Sequence, residues 1–315
     1  MNFRLQASLV LLAALASVPA FPAAAPAPAP SAANSPIAPG AKLEQIAGDF
    51  GFTEGASCDA AGNVYFTDQP NDRIMKYSTD GKLSEFLKPA GRANGTKIDA
   101  GGNIIACADE KNELWAIDVT TKKAAILVKD YQGKLLNGPN DVWIRPDGGM
   151  YLSDPFTKRS YWTRGAQEIP NSILFLSPDR KKLTRVTEDV TNPNGVIGTP
   201  DGKTLYVGDF GASKTYAYDI QDDGTLKNKR LFCNMPSDGM TLDERGNVYL
   251  TGRGVTIFDK TGVQIAAIPV PAESWTGNLC FGGADRQTLF ITASKGFYAI
   301  KMSVKGTVFP KPVEK

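Results

Sequence analysis

From about residue 42 onward, the apolar residues come in short runs rich in β-branched and aromatic side chains, separated by clusters of Gly, Asp, Asn and Pro. This is the pattern of strands joined by turns. The runs also repeat. EGASCDAAGNVYFTD starts at Glu54, NGTKIDAGGNIIACAD at Asn94, NDVWIRPDGGMYLSD at Asn140, NGVIGTPDGKTLYVGD at Asn194, DGMTLDERGNVYLTG at Asp238 and NLCFGGADRQTLFITA at Asn278. Each has a leading polar residue, a short apolar strand, a turn and a second strand. In the first five, a Gly stands eight residues after the leading residue (Gly62, Gly102, Gly148, Gly202, Gly246); in the sixth the place is taken by Arg286. Two further strand-like runs follow each pair, such as SILFLSP and KLTRVTE, or KTYAYDI and LKNKRLF. A period of about 40 to 50 residues with four antiparallel strands in each of six repeats predicts an all-β fold, a six-bladed β-propeller. A parallel β-helix or two sandwiches would not give a four-strand period of this length. The sixth repeat supplies only three strands, whereas KLEQIAGDF, residues 42–50, is a lone strand ahead of the first. The N-terminal strand is therefore expected to complete the last blade and close the ring, so that no sheet edge is left unpaired at the junction.

The N-terminus differs in kind. Arg4 precedes an apolar core from about Ala7 to Ala16, and Val18-Pro19-Ala20 resembles a cleavage site, so residues 1–20 are expected to be a signal peptide. The apolar run is shorter than the roughly 20 residues that span a bilayer. The Ala/Pro-rich stretch 21–41 is expected to be a linker, 42–302 the propeller and 303–315 a C-terminal tail. Export to the periplasm or the medium follows as an expectation. Four Cys (58, 107, 233, 280) lack C-x-x-C spacing and read as buried small hydrophobes. With Lys+Arg 35 against Asp+Glu 33 and no basic run, neither nucleic acid nor a membrane is an expected partner, and no obligate protein partner is evident.

In a propeller, the first strand of each blade lines the central channel. The six leading residues, Glu54, Asn94, Asn140, Asn194, Asp238 and Asn278, should then ring one mouth. Three readings compete: Asn and Asp capping their own strand starts, a polar lining for a water-filled channel, or a hard cation. Oxygen donors without sulfur or imidazole suit Ca²⁺ or Mg²⁺. Taken as a set on one axis, the residues favour the cation.

The motifs FTEGA, GRANG, LNGPNDVW, NPNGV and PSDGM, one per blade and in this order, resemble those of the gluconolactonase and regucalcin (senescence marker protein) family, in its bacterial gluconolactonase-like branch. The resemblance covers roughly residues 43–302. It implies a six-bladed propeller with one divalent cation at the top of the channel, Ca²⁺ first and Mg²⁺ or Zn²⁺ as alternatives. Its ligands would be Glu54, Asn140, Asn194 and Asp238, and Asp238 would also be the general base in hydrolysis of a sugar lactone or related cyclic ester. The sequence departs from the sugar-lactone pattern at Gly138, where regucalcin has an Arg.

The chain contains no His, which excludes Ser-His-Asp and Cys-His hydrolases. Catalysis then rests on carboxylates, metal-bound water or both. Around the mouth, Asn94 and Asn137 are candidate substrate contacts. So are Arg159, Tyr161 and Trp162 of the long loop 155–171, which could stack on a sugar ring, hold a carboxylate, or simply cover the propeller end. Two rival functions remain at this level: an aryl-ester or phosphotriester hydrolase, and a non-catalytic propeller scaffold whose cation is structural.

Overall fold

The structure is a computed structural model that describes residues 35–271 and 273–307. The expected signal peptide and most of the 21–41 linker lie outside the described residues. Within them the chain forms six four-stranded antiparallel sheets and one two-stranded hairpin, and its only helical element is the 3₁₀ turn Gln69–Asn71. Blade one comprises Thr53–Cys58, Val64–Asp68, Arg73–Tyr77 and Leu83–Leu87, in sequence order across the sheet. Blade two runs from Ala93–Ile98 to Ala124–Val128, blade three from Val142–Ile144 to Leu183–Arg185, blade four from Pro193–Gly198 to Leu226–Cys233, and blade five from Met240–Leu242 to Gln264–Ile268. Blade six takes Thr276–Gly282, Thr288–Ala293 and Gly296–Lys301, and its outer strand is Glu44–Ala47 from the start of the chain. Each first strand packs against the first strands of the two neighbouring blades, around the full circle. This is the six-bladed propeller expected from the repeat, closed by the N-terminal strand through the pairs Glu44 with Ala299, Gln45 with Tyr298 and Ala47 with Phe297.

Strand alternation explains where the core lies. Both faces of each sheet are covered by neighbouring sheets, so the second strands are buried along their whole length, as in Val64–Asp68 and Met150–Asp154. Aromatic rings fill the wedge between blades: Phe66 of blade one stacks on Phe297 of blade six at 4.3 Å between centroids. Such stacking adds to the area the rings bury. The packed chain also runs past 42–302 at both ends. Ile37 bridges Met302 and Asp243 bridges Gly306, with Met302 and Val304 buried.

The glycine shared by five repeats sits at positive φ in the turn between first and second strands, for example 96° at Gly62 and 70° at Gly202. Arg286 adopts the same conformation at φ 59°. A side chain strains that backbone, but Arg286 Nη2 donates to Asp59 O of blade one at 2.7 Å and so ties the last blade to the first.

Candidate active site

The leading residues break the ladders they were expected to begin. The register slips between Glu54 and Ser57, Ala93 and Thr96, Pro193 and Val196, and Thr276 and Asn278. In blades three and five, pairing starts only at Val142 and Met240. Such irregularities turn a side chain out of the alternating pattern. A glycine beside five of the six leading residues makes room for the neighbouring blade. A Cβ on Gly55 would lie 2.2 Å from Asn94 O, on Gly95 2.6 Å from Asn140 O, and on Gly195 2.6 Å from Asp238 O. On Gly239 it would lie 2.4 Å from Asn278 Cγ, and on Gly277 2.8 Å from Glu54 Oε1. Blade three has Asp141 in that place, and its Oδ2 accepts from Val196 N of blade four at 3.2 Å. These close approaches bring the leading segments of adjacent blades together at one end of the first strands.

The electrostatics of the mouth are unfavourable to the chain alone. Glu54 is 3% exposed and accepts Gly55 N at 2.7 Å and Asn278 Nδ2 at 3.1 Å. Burial pushes its carboxyl well above the usual range, and the charges of Asp238 and Asp141 push it further. Asp238 is half-buried, and its Oδ2 accepts the Trp275 indole N–H at 2.6 Å. Burial pushes Asp238 up to about 6, against hydrogen bonds from Trp275 and Asn194. Asp141 is also raised by burial, opposed by the charge of Lys97. In the same region Asn94 Oδ1, Asn137 Oδ1 and Asn194 Oδ1 are buried without a hydrogen-bond partner. Buried amide oxygens normally find a donor. A hard divalent cation would relieve the carboxylate repulsion, and of these oxygens Asn194 Oδ1, whose side chain also bonds Asp238, is the one placed to take part. No group of three or more His, Cys, Asp or Glu is arranged to hold a metal among the described residues. Any ion here would have to be held by two carboxylates together with amide oxygens.

The mouth thus contains Glu54, Asn194 and Asp238, with Asn140, 8% exposed, bonded through its backbone to Ser153 O and Gly95 N. Asn94 and Asn137 are buried at the same end. Asn137 N and Nδ2 both bond Asp154. Arg159, Tyr161 and Trp162 converge on Asp109 of blade two.

Residues 52–295 match the family described as SMP-30/gluconolactonase/LRE-like region. The chain belongs to this family. Its relatives include a gluconolactonase from Zymomonas mobilis, 28% identical and aligned over 84% of this chain and 82% of that protein. A diisopropyl-fluorophosphatase from Loligo vulgaris is 24% identical over 70% of this chain and 79% of that protein. Among solved structures, a Xanthomonas campestris gluconolactonase superposes with a TM-score of 0.80 at 28% identity, covering 92% of this chain and 99% of that one. A calcium-binding regucalcin from Agrobacterium tumefaciens shares the fold, with a TM-score of 0.70 at 19% identity and coverage of 85% and 96%.

Several site residues of this family member carry weak signals in the sequence or none. Asn278 has no ligand role in the family pattern, yet it holds Glu54. Trp275 reads as a loop residue and holds Asp238. The best signal lies in the Asp that ends the second strand of blades one, three and four. Asp68 accepts the amides of Gly51 and Phe52, Asp154 those of Asn137 and Gly138, and Asp209 those of Thr191 and Asn192. Each carboxylate fixes the loop that leads into its own blade's first strand. In blade two the strand ends at Ala108, and Asp109 is one residue beyond, free to bond elsewhere.

Proposed function

We propose that the protein hydrolyses a sugar lactone or related cyclic ester, with Glu54, Asn140, Asn194 and Asp238 holding one divalent cation, Ca²⁺ in the first place. Membership of a family that includes gluconolactonases and other lactonases supports the reaction class. The cation rests on the donor set: the carboxylates of Glu54 and Asp238, which repel one another, beside the buried Asn194 Oδ1, which has no donor. When bound, the ion would act as a Lewis acid toward the carbonyl oxygen of the lactone.

The chain's own residues supply the rest. Trp275 and Asn194 fix Asp238 at the mouth, where the residue is half-buried. Asp238 takes a proton from the attacking water as the new C–O bond forms, and returns it to the ring oxygen as the ring C–O bond breaks. Glu54 is held by Asn278 and Gly55 N, so it keeps a fixed geometry and is not available as the base. An arylester or phosphotriester substrate is the second reading, favoured by the diisopropyl-fluorophosphatase relative. Export is proposed from the N-terminal sequence alone.

The observation that carries the proposal is the pairing of Glu54 and Asp238 beside the unpartnered Asn194 Oδ1. Its test is hydrolysis of a panel of sugar lactones, aryl esters and organophosphates by purified protein, with and without chelator. Chelator-sensitive lactone turnover is expected. Asp238→Ala and Glu54→Gln should each lower it by at least about a hundredfold. Full activity in either variant, or turnover indifferent to chelator, overturns the assignment.

A further inference from the structure

The loop 155–171 reaches from blade three to the neighbouring blade two. Asp109 receives it. Its side chain, 2% exposed, accepts Arg159 Nε at 2.9 Å, the Tyr161 hydroxyl and Gln69 Nε2 at 3.3 Å, while its backbone oxygen accepts Trp162 Nε1 at 2.7 Å. Gly138 makes this possible. A Cβ there would lie 2.8 Å from the Trp162 ring and 2.9 Å from Asp109 Oδ1.

Arg159 is pinned through Nε only. Its Nη1 and Nη2 bond to nothing among the described residues, and its side chain is 26% exposed. Two further guanidinium groups stand beside it. Arg92 lies over the Tyr161 ring at 4.6 Å, and Arg164 lies over Trp162 at 5.6 Å with Nε and Nη2 buried and unpartnered. Against these three cations stand Asp109, Glu110 at 3.8 Å from Arg92, and the buried Asp154. This side of the mouth therefore gathers three guanidinium groups, and of them only Arg159 leaves both terminal nitrogens unbonded among the described residues. Arg159 and Asp238 lie within electrostatic reach of each other.

We propose that Arg159 recognises an anionic substituent on the substrate, so that the lactone hydrolysed carries a carboxylate outside its ring, as an aldaric acid monolactone does. Two parallel N–H groups from one guanidinium match a carboxylate in a way that no single donor does. Asp109 is the positioning residue: by taking Nε, it turns the two terminal nitrogens outward. Tyr161 and Trp162 fix the loop that delivers them. The proposal rests on the lactone-hydrolase reading.

The test compares D-glucono-1,4-lactone, D-glucaro-1,4-lactone and 6-phospho-D-gluconolactone with the full chain in Ca²⁺. The wild type is expected to favour the glucarolactone over the neutral lactone by at least about tenfold in kcat/KM, with the preference shrinking as salt rises. Arg159→Gln should cut that ratio by roughly ten- to a hundredfold, mainly through KM, and Arg159→Lys should restore part of it. A wild-type ratio near one, or an equal loss on both lactones in Arg159→Gln, overturns the proposal and leaves Arg159 as a loop latch. Preference for the phosphorylated lactone overturns the carboxylate assignment in favour of phosphate. If Arg159→Gln does not fold, the wild-type ratio and its salt dependence decide alone. Absence of turnover on every lactone would instead sink the lactone-hydrolase reading itself.

Discussion

Asp154 illustrates how strongly this end of the propeller disfavours charge. It is fully buried, accepts two backbone amides and is pushed up to about 7 by burial. An unfolded Asp titrates near 3.9. The native state therefore holds a proton that the unfolded chain has lost, and stability contributed by this group falls as pH rises from about 4 through 7. Asp154→Asn removes the titration and keeps one of the two acceptors, leaving the other backbone amide facing the side-chain NH2, so the variant starts from a lower stability at every pH. Urea unfolding at pH 5 and pH 8 should show a smaller loss of stability in the variant, with full ionisation worth on the order of 4 kcal/mol at most. An unchanged pH slope would place the strain elsewhere. Gly195 tests the convergence of the ring. A Cβ there meets Asp238 O, so Gly195→Ala should displace the base, destabilise by about 1–3 kcal/mol and lower lactone turnover at least tenfold. Retained activity would show that the close approach is incidental.

At the scale of elements, most of the structure is legible from the chain. The four-strand period, the turn glycines and the spare N-terminal strand all follow from local alternation and from the φ that a turn requires. The closing strand is also the element whose removal is most informative. Phe297 and Tyr298 pair with Ala47 and Gln45, and Phe297 stacks on Phe66 of blade one. A variant starting at Phe50 should open this edge and lower Tm by roughly 10 °C, equivalent to a few kcal/mol for a domain of this size. An unchanged melting curve would mean that blade six stands on three strands. The loop 155–171 is the converse case. Its residues are readable as polar and aromatic, but their partner Asp109 lies 50 residues from Arg159, where no local pattern points to it.

For the whole molecule, the ring makes the mouth a property of all six blades. Asn278 reaches Glu54 across 224 residues of sequence, because the last blade is the neighbour of the first. A cation bridging Glu54 of blade one and Asp238 of blade five would join distant parts of the ring, so its binding should raise the stability of the whole. A ligand that binds only the folded state at a hundred times its Kd adds about 2.7 kcal/mol. Calcium titration should raise Tm accordingly, chelator should reverse the shift, and Glu54→Gln should remove most of it. A shift of the same size in Glu54→Gln would place the ion elsewhere.

The amino-acid sequence by itself determined the propeller, its blade boundaries and the six leading residues, because strands and turns are set by neighbours within a few positions and a sixfold period makes their signals mutually reinforcing. Tertiary structure alone decided which of those residues are held and by what: Trp275 on Asp238, Asn278 on Glu54, Asp109 on the blade-three loop. The physical reason is that these contacts depend on how closely adjacent sheets approach. That approach is set by glycines whose missing side chains are visible in the chain, but whose neighbours are not.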